Sequence, residues 1–285
     1  MEASLEKRRR ALGDAGVEIG DASVDGLMIH FGFRPGSGTP LLICNGIGAN
    51  LEVTLPLVKA LSGIPVVLFD VPGTGGSAPA HFVPCFRRYA RLGVGVLDHL
   101  GFHGDFSVAG VSWGGGTAQQ IARDYADRVR YLVLMATTPG IIMVPGRLQA
   151  LMRMTTPQRY LSHTFMARNA ANIYGGEMRG RPDLAIEFAS MIRAPRVLTY
   201  LQQLFAMLQF SSLLWLHRLR CPALVMVGDD DPLIRPINSR LMAALIPQSR
   251  LKIVKGGGHL FMIMRPEEAA AEIAEFLASG QLDHS

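Results

Sequence analysis

Short apolar, β-branched runs alternate with longer helix-like stretches along most of this chain, and that alternation leaves few folds open. The runs at 27–33, 41–45, 65–70, 106–111, 131–136, 223–228 and 250–254 read as strands, and four of the seven end in, or run directly into, Asn, Asp, Ser or Gly. Strands alternating with helices predict an α/β fold: a mostly parallel sheet covered by helices on both faces. Polar and glycine residues just past a strand then gather at the carboxyl edge of the sheet, where open α/β folds bind ligands. With 285 residues, 49% of them hydrophobic, the chain can bury a large core without covalent staples.

From Pro139 to Leu219 the strand–helix rhythm stops. Helical patterns cover 148–154, 159–171, 183–193 and 199–218, and the sheet pattern resumes at Cys221. This predicts a core of 1–138 and 220–285 with a helical cap, 139–219, inserted between two strands. The charge follows the same division. The net charge is +5, yet between Pro139 and Cys221 ten arginines and no lysine face three acids, an excess of +7. The rest of the chain is slightly acidic, so no nucleic-acid partner is expected despite a pI near 9.4. The cap instead reads as a docking face for an amphiphilic surface, or as an ordinary solvated face. Cys44, Cys85 and Cys221 are odd in number and far apart, which suggests neither disulfides nor a zinc site. No apolar stretch approaches a membrane span or a secretion signal, and a cytoplasmic location is expected.

The chemistry concentrates at strand ends. Gly110-Val111-Ser112-Trp113-Gly114 follows one strand and opens a helical stretch at 115–126, the strand–turn–helix setting of a nucleophile elbow. A serine nucleophile needs a base, and the base an orienting carboxylate. Asp229-Asp230-Asp231 follows the strand at 223–228, and Gly256-Gly257-Gly258-His259 follows the strand at 250–254. Seven further histidines (30, 81, 99, 103, 163, 217 and 284) lack such a setting. The developing oxyanion needs two backbone N–H donors, expected from Trp113, just after the serine, and from Ile47 in Asn45-Gly46-Ile47-Gly48. A second glycine-rich loop, 70–77, has no Lys-Ser or Lys-Thr and does not open a helix, so it is not a phosphate loop. No cofactor and no metal is expected. Seven methionines and a run of leucines and aromatics in the cap suggest an apolar acyl pocket, with Met143, Leu204, Leu208 and Trp215 as candidate linings beside Asn45 and Gly46.

Taken together, these segments resemble the α/β-hydrolase superfamily over almost the whole chain. A narrower resemblance, to intracellular depolymerases of medium-chain-length poly(3-hydroxyalkanoate), rests on LLICNGIGANLE (41–52), FDVPGTGGS (69–77), GVSWGG (110–115), MVPG (143–146), IYGG (173–176), WLH (215–217) and GDDDPLI (228–234). It implies a serine esterase that attacks a storage polyester on cytoplasmic granules through an acyl-enzyme, with a triad of Ser112, Asp231 and His259. The hydrolase pattern G-x-x-D is what selects Asp231 from the three aspartates. Two positions depart from the resemblance: three glycines precede His259 where the family tends to place an acid, and Arg235 follows GDDDPLI where proline is usual. The alternatives are a hydroxyacyl transferase with a similar elbow and a small-molecule carboxylesterase. The sequence leaves oligomeric state open.

Overall fold

A computed structural model describes residues 2–80, 83–156 and 162–279. Eight strands form one sheet: β1 (Glu18–Val24), β2 (Leu27–Arg34), β3 (Leu41–Cys44), β4 (Val66–Phe69), β5 (Phe106–Val111), β6 (Val129–Met135), β7 (Ala223–Gly228) and β8 (Ser249–Val254). Their order is β1-β2-β4-β3-β5-β6-β7-β8. The pairs β1/β2 and β2/β4 are antiparallel and the others parallel. All seven expected strands are present. β1 is additional, an edge strand whose only buried residues are Ala22 and Val24.

The helices are α1 (Glu2–Asp14), α2 (Leu55–Ala60), α3 (Phe86–His99), α4 (Trp113–Asp124), α5 (Leu148–Thr155), α6 (His163–Tyr174), α7 (Pro182–Met191), α8 (Val197–Leu208), α9 (Pro236–Leu245), α10 (Phe261–Met264) and α11 (Pro266–Ser279). Side-chain alternation along each strand divides the core in two. Ile43, Val133 and Leu224 point to the layer holding Leu12 of α1, Leu57 of α2 and Ile273 of α11. Their neighbours Leu42, Leu132 and Val225 point to the layer holding Leu92 of α3, Ile121 of α4 and Met242 of α9. Each such side chain, withdrawn from water, contributes about 1.5–3 kcal/mol before entropy is charged against it.

Between β6 and β7 lie α5 to α8 and no strand of the sheet. An antiparallel bridge between Gly140 and Ser211 closes the base of this segment, with Ile141 N donating to Phe210 O at 2.9 Å and Ser212 N to Pro139 O at 2.7 Å. Those bonds correct the expected helix at 199–218. It stops at Leu208, because Phe210 and Trp215 turn into the core and the intervening backbone is used to close the insertion. The helix expected at 159–171 begins at His163 and runs to Tyr174, capped by Ser162, whose hydroxyl accepts from Phe165 N. Residues 159–161 lie outside the described ones.

Candidate active site

Residue Ser112 sits between β5 and α4 with φ 52° and ψ −117°, a left-handed conformation that costs a side-chain-bearing residue about 1–3 kcal/mol. Neighbouring groups impose it: Ser112 N donates to Met135 O at 2.9 Å, and Thr137 Oγ1 donates to Ser112 O at 2.7 Å. The turn also requires glycine at 114, where a Cβ would stand 2.1 Å from the carbonyl oxygen of Cys44. That contact brings the end of β3, with Asn45-Gly46-Ile47, alongside the elbow.

β7 and β8 are neighbours, so the loops that follow them meet. The ring of His259 spans Ser112 and Asp231, with Nε2 2.9 Å from Ser112 Oγ and Nδ1 2.8 Å from Asp231 Oδ2. A carboxylate can only accept, which puts the proton on Nδ1 and leaves Nε2 to accept from the serine hydroxyl. The other oxygen of Asp231 accepts the N–H groups of Leu233 and Ile234 at 2.8 and 2.9 Å, so the carboxylate cannot rotate without breaking two bonds. Asp231 and His259 are 5% and 3% exposed. The arrangement can remove a proton from Ser112 as it attacks a carbonyl and stabilise the imidazolium that results.

Each of the three aspartates has its own partner. Asp229 Oδ1 accepts from Gly256 N at 2.7 Å, Asp230 forms an ion pair with Arg179 and accepts from Gly176 N at 2.8 Å, and Asp231 faces His259. The Arg179 guanidinium holds the Asp230 carboxyl below its ordinary range.

The insertion motifs behind the narrower resemblance press on these same loops. A Cβ at Gly146 of MVPG would meet Leu233 O at 2.3 Å, and one at Gly176 of IYGG would meet Gly258 N at 2.0 Å. His259 N donates to Tyr174 O at 2.6 Å, and the Tyr174 ring stacks on the imidazole at 6.3 Å between centroids. The glycines before His259 make this fit possible, since a Cβ at Gly258 would stand 2.3 Å from Tyr174 O. The acid missing from that loop has a counterpart in the insertion. Glu177 Oε2 accepts from Gly258 N at 3.0 Å, and the same carboxylate pairs with Arg265. The other departure, Arg235, is exposed. Tyr174 entered the sequence reading only as a letter of IYGG and the role of Glu177 gave no signal, because their task depends on a loop more than eighty residues away.

Two cavities open beside Ser112. The larger, about 290 Å³, is lined by Met143, Tyr200, Leu204, Met207 and Leu208 of the insertion and by Phe86 and Trp113 of the core. The smaller, about 50 Å³, is lined by Asn45, Gly46, Thr54, Tyr174 and Phe188. Ile47, Ser112, Met154 and His259 belong to both walls. Trp113 heads α4, where first-turn N–H groups have no intrahelical acceptor. Of the candidate pocket residues, Met143, Leu204 and Leu208 line the larger cavity, and Asn45 and Gly46 line the smaller one. Trp215 lines neither. It packs edge-on against Phe210 at 6.1 Å, under the Arg123 guanidinium, and lines a separate surface hollow.

The cap charge also has a partner. Arg179 pairs with Asp230 and Arg193 with Glu52, so part of the positive excess fastens the insertion to the acidic core. No helix among the described residues is long and apolar enough to cross a membrane.

Comparison with known proteins agrees with this geometry. The chain is 46% identical over 257 residues to a poly(3-hydroxyalkanoate) depolymerase of Ectopseudomonas oleovorans, covering 89% of this chain and 90% of that one. It is 29% identical to a 2-hydroxymuconate semialdehyde hydrolase of Pseudomonas sp. (strain CF600), covering 85% and 88%. Among solved structures, an esterase from Thermogutta terrifontis superposes with a TM-score of 0.76 at 26% identity, covering 91% of this chain and 98% of that one. The enol-lactonase of Burkholderia xenovorans LB400 gives 0.78 at 21%, covering 91% and 100%. The model of the alpha/beta hydrolase fold family matches residues 39–266, a span that runs from β3 past His259, and the chain belongs to that family.

Proposed function

We propose that the protein is a serine esterase that cleaves medium-chain-length poly(3-hydroxyalkanoate) to 3-hydroxy acids or short oligomers. The observation that carries this reading is the hydrogen-bonded series Ser112–His259–Asp231 opening onto an apolar cavity of about 290 Å³. The 46% identity to a poly(3-hydroxyalkanoate) depolymerase supports the substrate class.

In the proposed reaction Ser112 Oγ attacks the ester carbonyl while its proton passes to His259 Nε2. The N–H groups of Ile47 and Trp113 receive the oxyanion. The tetrahedral intermediate collapses as His259 returns the proton to the departing hydroxyl of the next monomer unit, leaving the acyl group on Ser112. Water, deprotonated by His259, releases the 3-hydroxy acid. Asp231 holds the imidazole and balances its charge throughout. No step calls for a cofactor.

Residues 139–219 act as the cap in this reading, and the large cavity takes the pendant alkyl chain, whose transfer from water favours binding by about 0.8 kcal/mol per methylene. Leu198, Leu201 and Phe205 are exposed on one face of α8, at spacings of three and four, while Tyr200, Leu204 and Met207 line the cavity. Leu148 and Met152 of α5 are exposed as well. This apolar rim is the face that meets the granule, and it fits the enzyme to work in the cytoplasm on storage granules.

The test is release of 3-hydroxy acids from purified polyester granules. The reading expects release from granules with medium side chains and little from those with short ones. Equal rates on both would overturn the chain-length assignment. Turnover that needs an added acyl acceptor would identify a transferase instead.

A further inference from the structure

Helix α8 reads VLTYLQQLFAML, and one of its two glutamines, Gln203, is fully buried. Burying a primary amide costs several kcal/mol unless it is hydrogen-bonded. Gln203 is bonded on the core side through its side-chain and backbone oxygens, at two places that matter for the reaction above, while its buried Nε2 has no hydrogen-bond partner among the described residues. Its Oε1 accepts from Gly48 N at 2.7 Å, and its backbone carbonyl accepts from the Trp113 indole Nε1 at 2.9 Å.

These contacts lie beside both halves of the proposed oxyanion hole, at the residue after Ile47 and on the side chain of Trp113. The Gly48 N–H belongs to the peptide unit that starts at the carbonyl of Ile47, and Gly48 is in a left-handed turn with φ 65°. Holding that peptide plane restrains ψ of Ile47, one rotation away from the preceding peptide unit that carries the Ile47 N–H. The other contact fixes the side chain of Trp113, whose ring also packs against Phe86 at 4.8 Å and Tyr89 at 5.0 Å. A single insertion residue thus bears on the loop after β3 and on the start of α4, segments joined otherwise through the core.

We infer that Gln203 is a positioning residue for the oxyanion hole, so that the hole reaches working geometry only with α8 seated on the core. The inference rests on the proposed roles of Ser112, Ile47 and Trp113. It makes the insertion more than a selector of substrates: the cap carries part of the transition-state stabilisation, without itself touching the reacting atoms. Preorganised donors lose effect when their direction relaxes by a fraction of an ångström, whereas ground-state binding in an apolar cavity does not depend on them.

The test compares Gln203→Met with the wild type. Methionine fills a similar volume but has no strong acceptor for Gly48 N–H. Two probes are used: octylboronic acid, which bonds to Ser112 Oγ as a tetrahedral anion, and 3-hydroxyoctanoate, which binds as product. The expected result is a fall in kcat of about 10- to 100-fold with KM within about threefold. Boronate affinity falls by the same factor as kcat/KM, and product affinity stays within about threefold. Trp113→Phe, which keeps an aromatic ring at the position but deletes the indole N–H, shows the same loss of kcat and boronate affinity at smaller size and serves if Gln203→Met does not fold. Unchanged boronate affinity, or equal loss of boronate and product, would make Gln203 a packing residue and overturn the inference. A wild type that ignores the boronate would overturn the Ser112 reading, and this inference with it.

Discussion

The sheet edge and the insertion meet at Ser112 but are built on different terms. On the sheet edge, Ser112, Asp231 and His259 are held by backbone geometry and hydrogen bonds of 2.8–2.9 Å, with glycines where neighbouring chain approaches too closely for a Cβ. The insertion presents mostly aliphatic carbon to the cavity, from Met143, Leu204, Met207 and Leu208. Directional contacts tolerate almost no displacement, whereas apolar contacts adapt and exchange readily. We accordingly propose that the edge carries the chemistry and the insertion the choice of chain length. Exceptions include Tyr174, Glu177, Arg179 and Gln203, insertion residues that use directional contacts and direct them at the edge.

That division predicts a graded response to substitution. Ser112→Ala should cut kcat on p-nitrophenyl octanoate by about 10⁴-fold or more while leaving the fold intact, measured as initial rates beside a thermal melt. Gly258→Ala should force the Tyr174 carbonyl away from the His259 loop and cost about 100-fold in kcat, since small misplacements of a reacting group have effects of that size. A loss confined to KM would mean that the edge is as adaptable as the insertion.

The edge also carries a buried carboxylate outside the triad. Asp70 accepts from Leu51 N at 2.7 Å and Gly76 N at 2.8 Å. Burial pushes its pKa up to about 6, and the charge of Glu52 adds to the rise against those two N–H donors. Its folded pKa exceeds the unfolded one, so its contribution is full below about pH 4 and is lost as pH rises through about 6. The loss amounts to at most about 3 kcal/mol. Urea unfolding across this window should show that slope in the wild type and a flatter one in Asp70→Asn.

The smallest effect is expected from the insertion. Met154 lies on the wall of both cavities, and Met154→Ala should merge them, shifting the preference between octanoate and dodecanoate esters by about tenfold with little change in the better kcat. A Met154→Ala loss as large as that of Gly258→Ala would erase the distinction between the two regions.

Much of the edge was legible in the sequence because each reactive residue follows a strand and stands in a glycine-rich turn, a local pattern. The fold class was legible for the same reason. What escaped depends on distant contacts. β1, EIGDASV, lies at an edge with one end of one face buried, so its apolar period is faint. Nothing between Thr199 and Arg218 breaks a helix locally, and the stop at Leu208 comes from pairing with Pro139 and Ile141. Trp215 in an apolar run reads as pocket, but only tertiary structure tells a pocket wall from the core behind it. Gln203 gives no signal beyond a polar letter on an apolar helix.

The central claim, that Ser112 is the nucleophile of an acyl-enzyme, is tested most directly by rapid-quench turnover of p-nitrophenyl 3-hydroxyoctanoate followed by mass mapping. The account predicts a burst approaching one p-nitrophenol per chain and a 3-hydroxyoctanoyl group on the peptide containing Ser112. Turnover with the acyl group on another residue, or undiminished turnover in Ser112→Ala, would contradict it.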